Sequence, residues 1–146
     1  MHTVEISEYL NIDLICSNIF YGVYPANRIS KLCSLPALIV CNTDTSSRSG
    51  EHWIVLYVDE NRREEYFDAM CWFPTKWFKI FLDENCTAWI WNEKQLQSVI
   101  SKFCGHYCIF YCLYRCRGVD VRKVDKMFTK DTSLNDSIVH SFVCNV

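Results

Sequence analysis

Apolar residues fall in short blocks divided by polar turns, a pattern that predicts strands in the first two thirds of the chain and helices after it. Trp53-Ile54-Val55-Leu56-Tyr57-Val58 is an unbroken β-branched and aromatic run. Such a run suits a strand covered on both faces, the centre of a sheet. Leu38 to Cys41 reads as a second short buried strand, and Phe20 to Pro25 as a β-leaning segment stopped by its proline. Val4 to Asn18 has room for one or two short helices. Asn42 to Gly50 is polar throughout and reads as a surface loop. Asp59 to Arg63 is a turn, with Asn61 suited to a positive φ, and Glu64 to Asp68 returns as the partner strand of a hairpin. Pro74 fits the first turn of a helix running to about Leu82 that buries Trp77, Phe78 and Phe81. Thr87 to Trp91 is again strand-like. Beyond Phe103 the period becomes helical. Tyr107 to Tyr114 is apolar nearly all round, as in a helix enclosed by the fold. Helices over Val121 to Phe128 and Leu134 to Val143 complete the pattern.

With 146 residues, and about 100–200 residues per domain, one domain spanning residues 1–146 is expected. Its class is α+β, a mostly antiparallel sheet packed on a buried helix. Half the residues are apolar and 22% are charged, which excludes a disordered or fibrous chain. The net charge of −2 carries no footprint for nucleic acid. Ten cysteines would suit a disulfide framework in a secreted chain. The segment Met1 to Glu8, however, has no basic stretch followed by an apolar one, so reduced thiols and an intracellular setting are expected. The longest apolar runs fall well short of the roughly 20 residues that span a bilayer, so no membrane partner is expected.

Cys104 stands where an irregular stretch meets the enclosed helix. A thiol at a helix amino terminus meets unpaired N–H groups and the positive end of the dipole, which favour the nucleophilic thiolate. Peptide hydrolysis also needs a base that takes the proton and returns it to the leaving amine. His106 is two residues along the same helix, about 200° round from Cys104. His2 is terminal and His140 sits on a solvent-type helix. His52, opening the central strand beside a loop, is the better partner. If the hairpin loop is Asp59, Glu60 and Asn61, Asp68 falls directly opposite His52. Opposed residues have Cβ atoms roughly 4.5–5.5 Å apart, close enough for a carboxylate to orient the imidazole. A loop of Glu60 to Arg63 would instead set Asp68 against Val55, about 10 Å along the strand from His52. The triad therefore predicts the shorter loop. The oxyanion needs two donors: the Cys104 N–H is one, and the side-chain amide of Gln97 or Gln95 is the other.

In this order and spacing, Asn42-Thr43, His52-Trp53, Phe67-Asp68, Gln97-Ser98 and Cys104-Gly105-His106-Tyr107-Cys108 resemble the adenain family of cysteine proteases. The likeness runs from Phe20-Tyr21-Gly22-Val23-Tyr24 to about Phe142. It is nearest in flavour to the proteases of Polinton/Maverick virus-like elements, with a more distant similarity to SUMO-specific proteases. The resemblance implies a papain-like, adenain-like fold with Cys104 as nucleophile, His52 as general base and acid, Asp68 as the orienting acid and Gln97 as the oxyanion donor. It also implies that Trp53 walls a narrow channel admitting small residues, typically glycines, before the scissile bond. The adenovirus enzyme has Glu where Asp68 stands, whereas the SUMO-specific proteases use Asp in that role. The implied substrate is a viral or element-encoded capsid precursor, met in host cytoplasm or nucleus or in the virion. An activating peptide is a partner known in the family; DNA, its other activator, is not supported here by the charge. No cofactor and no metal are implied.

Taken singly, each residue has a plainer reading: Cys104 as an inert buried thiol, His52 as a hydrogen-bonded strand end, Asp68 as a surface acid. Their joint order points to catalysis. Cys104, Cys108, Cys112 and Cys116 form a helical stripe, but no second Cys or His pair is placed to complete a zinc tetrahedron. Trp72, Trp77, Trp89 and Trp91 read as core or groove aromatics, and Arg115, Arg117, Arg122 and Lys123 as a solvated basic face. Two alternatives to a capsid-maturing endopeptidase stand beside it: a protease of ubiquitin-like conjugates, and a catalytically silent binding module.

Overall fold

The computed structural model describes residues 1–47 and 52–146. Arg48, Ser49 and Gly50 of the polar loop lie outside the described residues. The elements in chain order are α1 (Thr3–Ile12), a 3₁₀ turn (Cys16–Asn18), β1 (Phe20–Pro25), β2 (Ala37–Asn42), β3 (Trp53–Val58) and β4 (Arg63–Phe67). After these come α2 (Lys76–Asn85), β5 (Ala88–Trp91), α3 (Cys104–Cys116), α4 (Val121–Lys126) and α5 (Thr132–Cys144).

The five strands form one sheet in sequence order. The continuous apolar runs lie at its centre, as their pattern requires. Along β2 and β3 successive side chains alternate between two cores. Leu38, Val40, Val55 and Tyr57 face α1 and α3, while Ile39, Cys41, Ile54, Leu56 and Val58 face α2. The α+β class holds. The central β2–β3–β4 ladder is antiparallel, and both outer pairs, β1–β2 and β4–β5, are parallel. The β4–β5 pairing follows from α2, since a helical crossover returns the chain in the same direction. At β1, Gly22 takes a φ of 133° where the pairing register shifts, and a Cβ there would press on the Tyr24 ring at 3.3 Å.

Helix α3 is enclosed: every residue from Tyr107 to Leu113 is buried. Tyr111 stacks on Phe67 of the sheet with ring centroids 4.5 Å apart. Such a pair adds about 0.5–1.5 kcal/mol beyond area burial. Two acids on β4 are buried with it. Glu65 accepts from Tyr111 Oη at 2.5 Å and from the Val121 N–H at 2.9 Å, and pairs with Arg115 Nε at 3.1 Å. Glu64, on the other face, accepts from the Cys86 thiol.

The structure corrects several sequence expectations. The hairpin loop is three residues long but consists of Glu60, Asn61 and Arg62, closed by the Asp59 N–H donating to the Arg63 carbonyl at 2.9 Å. Val58 pairs with Glu64, so continuing the ladder sets Asp68 beside Ile54, not His52. The cause is the Asp59 side chain, whose Oδ1 accepts from the N–H groups of Asn61 and Arg63 and fixes Asp59 at the base of the turn. The positive φ falls on Arg62, at 59°, and not on Asn61. Pro74 lies outside α2, which starts at Lys76 after the N-cap Thr75. Arg115 does not belong to a solvated face, because its guanidinium lies 3.9 Å from the Tyr57 ring centroid and it pairs with Glu65. Helix α4 ends at Lys126, two residues before Phe128.

Candidate active site

The site forms where the start of β3, the end of β4, the 92–103 segment and the amino terminus of α3 converge. His52 precedes β3, and its carbonyl accepts from the Thr43 N–H at 2.9 Å, which extends the β2–β3 pairing past Asn42. Although Asp68 is not opposite His52, His52 Nε2 lies 2.6 Å from Asp68 Oδ1, with both side chains buried. The register differs from the expected one by two residues. An even displacement preserves which face each residue takes, and the side chains span the remaining diagonal. Asp68 Oδ1 also accepts from the Met70 N–H at 2.8 Å, an Asx turn that bends the chain away immediately after β4.

Asp68 is held from outside as well. The Asn92 side chain accepts from the Asp68 N–H at 3.0 Å and donates to its carbonyl at 2.7 Å, continuing the β4–β5 pairing with side-chain atoms. Asn92 is almost fully buried. In the sequence its only signal is an amide directly after the strand ending at Trp91. The next carbonyl, that of Ala69, accepts from the N–H groups of Leu96 at 2.8 Å and Gln97 at 3.0 Å, so the acid turn and the Gln97 segment are bolted together. From the other side Tyr107 Oη and Asn135 Nδ2 both donate to the Leu96 carbonyl.

Cys104 is the first residue of α3, as expected, and its thiol is half-buried. Burial alone would raise its pKa. The hydrogen bond to His52 and the charge of that ring, with the N–H groups of Trp53 and Gly105, outweigh burial and hold the thiol below its ordinary value. Burial likewise works against the charged form of His52, yet its bonds to Asp68 and Cys104 and the charges of both raise it to about 9. Each shift has the sign that favours an imidazolium and a thiolate. With Nε2 committed to Asp68, Nδ1 is the nitrogen left for Cys104.

His52 and Cys104 border one cleft of about 580 Å³, lined also by Trp53, Met70 and Trp72. Gln97 lines it and Gln95 does not; Gln95 Nε2 instead donates to the Gln97 carbonyl at 2.8 Å. Gln97 Nε2 gives one hydrogen to the Ser101 carbonyl at 3.1 Å, which leaves a second for the cleft. Its Oε1 is buried without a hydrogen-bond partner. Trp53 is half-buried against the core under α3 while bordering the cleft. Trp72, a groove aromatic, tilts over His52 with ring centroids 5.2 Å apart. His106 and His140 lie together, 5.5 Å between centroids and both against Phe103, and neither lines the cleft. Among the described residues no group of three or more His, Cys, Asp or Glu side chains is placed to hold a metal ion. Among them, too, no helix is long and apolar enough to cross a membrane.

The fold that presents this cleft is that of the SUMO-protease-like cysteine proteases. The chain is similar to the ASFV pS273R protease, with a TM-score of 0.67 and 16% identity over 96% of this chain and 66% of that one. It thus spans slightly less than two thirds of that protease's length. It is similar also to ChlaDub1 of Chlamydia trachomatis, with a TM-score of 0.55 and 15% identity over 75% of this chain and 59% of that one. The C. trachomatis effector Cdu1, solved bound to ubiquitin, gives a TM-score of 0.55 and 14% identity over 97% and 76% of the two chains. No protein-family model matches the sequence, and no curated protein matches it. At these identities the likeness establishes the fold.

Proposed function

We propose that the chain acts as one catalytic domain, a cysteine endopeptidase with Cys104, His52 and Asp68 as its triad and Gln97 as an oxyanion donor. The observation that carries this reading is the convergence on one cleft of a thiol at the start of a buried helix, an imidazole bonded to a buried carboxylate, and a side-chain amide with a free hydrogen. The Cys104 thiolate attacks the substrate carbonyl, and the oxyanion is received by the Cys104 N–H and Gln97 Nε2. The His52 imidazolium protonates the departing amine. It then takes a proton from water as that water attacks the acyl-enzyme, and Cys104 leaves as thiolate. Asp68 holds the ring in one orientation and stabilises its cationic form.

Trp53, Met70 and Trp72 crowd the cleft around His52 and Cys104. This supports a channel that takes small residues, glycines above all, ahead of the scissile bond. By the adenain resemblance, the substrate is a viral or element-encoded capsid precursor. A ubiquitin-like conjugate is the second reading, favoured by the likeness to Cdu1, which binds ubiquitin. Purified protein is tested on a peptide library and on carboxy-terminal ubiquitin and SUMO reporters, with Cys104→Ala as control. Cleavage after small residues in peptides, lost in the variant, supports the endopeptidase. Reporter cleavage without peptide cleavage shifts the substrate to conjugates. Equal inactivity of both proteins on every substrate overturns the enzyme reading.

A further inference from the structure

The candidate active site leaves unused one pair of cysteines whose sulfurs are in contact. Cys16, in the 3₁₀ turn, is fully buried, and its Sγ lies 2.9 Å from Sγ of Cys116, the last residue of α3, 100 positions away in sequence. Cys16 Sγ also sits 3.4 Å from the Cys112 carbonyl. Two thiol sulfurs this near are inside ordinary van der Waals separation, and about 1 Å of further approach reaches the S–S bond length of ~2.0 Å. Among the described residues no other two cysteine side chains are in hydrogen-bonding contact.

Packing that does not involve sulfur brings them together. Arg117, adjacent to Cys116, donates from Nη2 to Asp13 Oδ2 at 2.6 Å, while Asp13 Oδ1 accepts from the Cys16 N–H at 2.8 Å. Along α1, Ile6 and Leu10 are buried in the same core as Tyr107 to Leu113. The far end of α1 borders the cleft: a Cβ on Gly105 would stand 3.0 Å from the Met1 side chain, and His2 lines the cleft. Helix α1 is therefore a strap beside α3, with one end at Cys104–Gly105 and the other at Cys116, about 18 Å further along α3.

We propose that Cys16 and Cys116 form a disulfide modification site, reversibly closed by a low-molecular-weight disulfide such as oxidised glutathione, that staples the 3₁₀ turn following α1 to the end of α3 remote from Cys104. Cys116 is partly exposed and meets the oxidant first. Its thiolate attacks one glutathione sulfur, the glutathione S–S bond breaks, and one glutathione thiolate leaves. The Cys16 sulfur then displaces the second glutathione from Cys116. Two protein thiols become one disulfide, one glutathione disulfide becomes two thiols, and the two cysteine protons pass to the released glutathiones. The hydrogen bond to Cys116 and burial both push the Cys16 thiol up, so it is not the thiol that meets the oxidant first, and it is the 2.9 Å contact with Cys116 that brings it to the second step.

The test uses wild-type protein and a Cys104→Ser form, which removes the proposed nucleophile as a competing site of glutathione attack. Each is equilibrated with oxidised glutathione, alkylated, and mapped by peptide mass spectrometry, with melting followed in parallel. The expected result is one intramolecular cross-link between Cys16 and Cys116. It raises the melting temperature by about 5–15 °C, reverses with dithiothreitol, and is missing from Cys116→Ser. Both cysteines remaining open to alkylation, a cross-link mapping to another pair, or a cross-link that leaves melting unchanged would overturn it. None of these readouts requires peptidase activity, so the site stands or falls apart from the proposed reaction.

Discussion

Asn92 grips the backbone of Asp68 on both sides, accepting from its N–H and donating to its carbonyl. Asp68 lies one residue past β4 and Asn92 one residue past β5, where the two strands no longer pair through their backbones. The amide supplies the missing rung, and it fixes the carboxylate that meets His52 at the point where the chain would otherwise be free to turn.

Replacing Asn92 with alanine removes both bonds and lets Asp68 drift from His52. Misplacement of a supporting group by about 1 Å costs on the order of 10²-fold in rate. The expected outcome for Asn92→Ala is a loss of that order in kcat with little change in KM. Steady-state kinetics on a cleavable peptide, with circular dichroism to confirm folding, checks this. An unchanged kcat would remove Asn92 from the positioning of the site.

Gln97 has a buried side chain with one amide hydrogen spent on Ser101. Deleting a single oxyanion donor costs about 10²–10³-fold in kcat. Gln97→Ala should fall in that range, whereas Gln95→Ala should not, because Gln95 is outside the cleft. Equal losses in the two variants would mean that the 95–97 segment acts only through its backbone.

His52 is raised to about 9, and Cys104 lies below the ordinary thiol value. The reactive ion pair therefore persists until His52 loses its proton, and kcat/KM should fall on the alkaline side near pH 9. On the acid side it should fall where the Cys104 thiolate takes up a proton, below the usual thiol range. Stability is linked in the same way. The contribution of His52 is complete below its unfolded value of about 6.5 and is lost as pH rises through about 9, while that of Cys104 is lost as pH falls through its lowered value. Asp68→Asn should fold, lose turnover strongly, move the alkaline limb downwards, and flatten the decline in stability between pH 7 and 10 seen in urea titrations. An alkaline limb that stays in place in the variant would mean that Asp68 does not hold the His52 proton.

Tyr111→Phe keeps the ring stacked on Phe67 but removes the donor to the buried Glu65. Leaving a buried acceptor without that partner costs about 1–3 kcal/mol. Chemical denaturation should show a loss of this size, with kcat unaffected well below the transition, since Glu65 lies far along the sheet from the His52 end. A neutral result would mean that Arg115 and the Val121 N–H satisfy the carboxylate unaided.

Much of this arrangement is legible in the chain because it rests on local pattern. The unbroken run Trp53 to Val58 announces a strand with two covered faces, and the apolar stretch Tyr107 to Tyr114 announces an enclosed helix with Cys104 at its start. What stayed hidden depends on single side chains acting through space. Asp59, by capping its own turn, moves the hairpin register by two residues while leaving the face of Asp68 unchanged. That is why the His52–Asp68 pairing is present although the register that suggested it is not. Arg115 looks like a surface charge until Tyr57 and Glu65 are brought against it from the sheet. The parallel β4–β5 edge departs from a mostly antiparallel sheet because α2 lies between those strands and a helical crossover returns the chain in the same direction.

The central claim is that Cys104 is held as a thiolate by His52, and thiol reactivity reads this directly. Wild-type protein is treated with limiting iodoacetamide at pH 6.5, and the alkylated cysteines are ranked by mass spectrometry. Cys33 and Cys144 are the exposed thiols, and Cys104 is half-buried. Access alone would therefore label Cys33 and Cys144 first. The account predicts that Cys104 labels first and that His52→Ala abolishes its lead. Labelling of Cys104 no faster than that of Cys33 and Cys144 would contradict it.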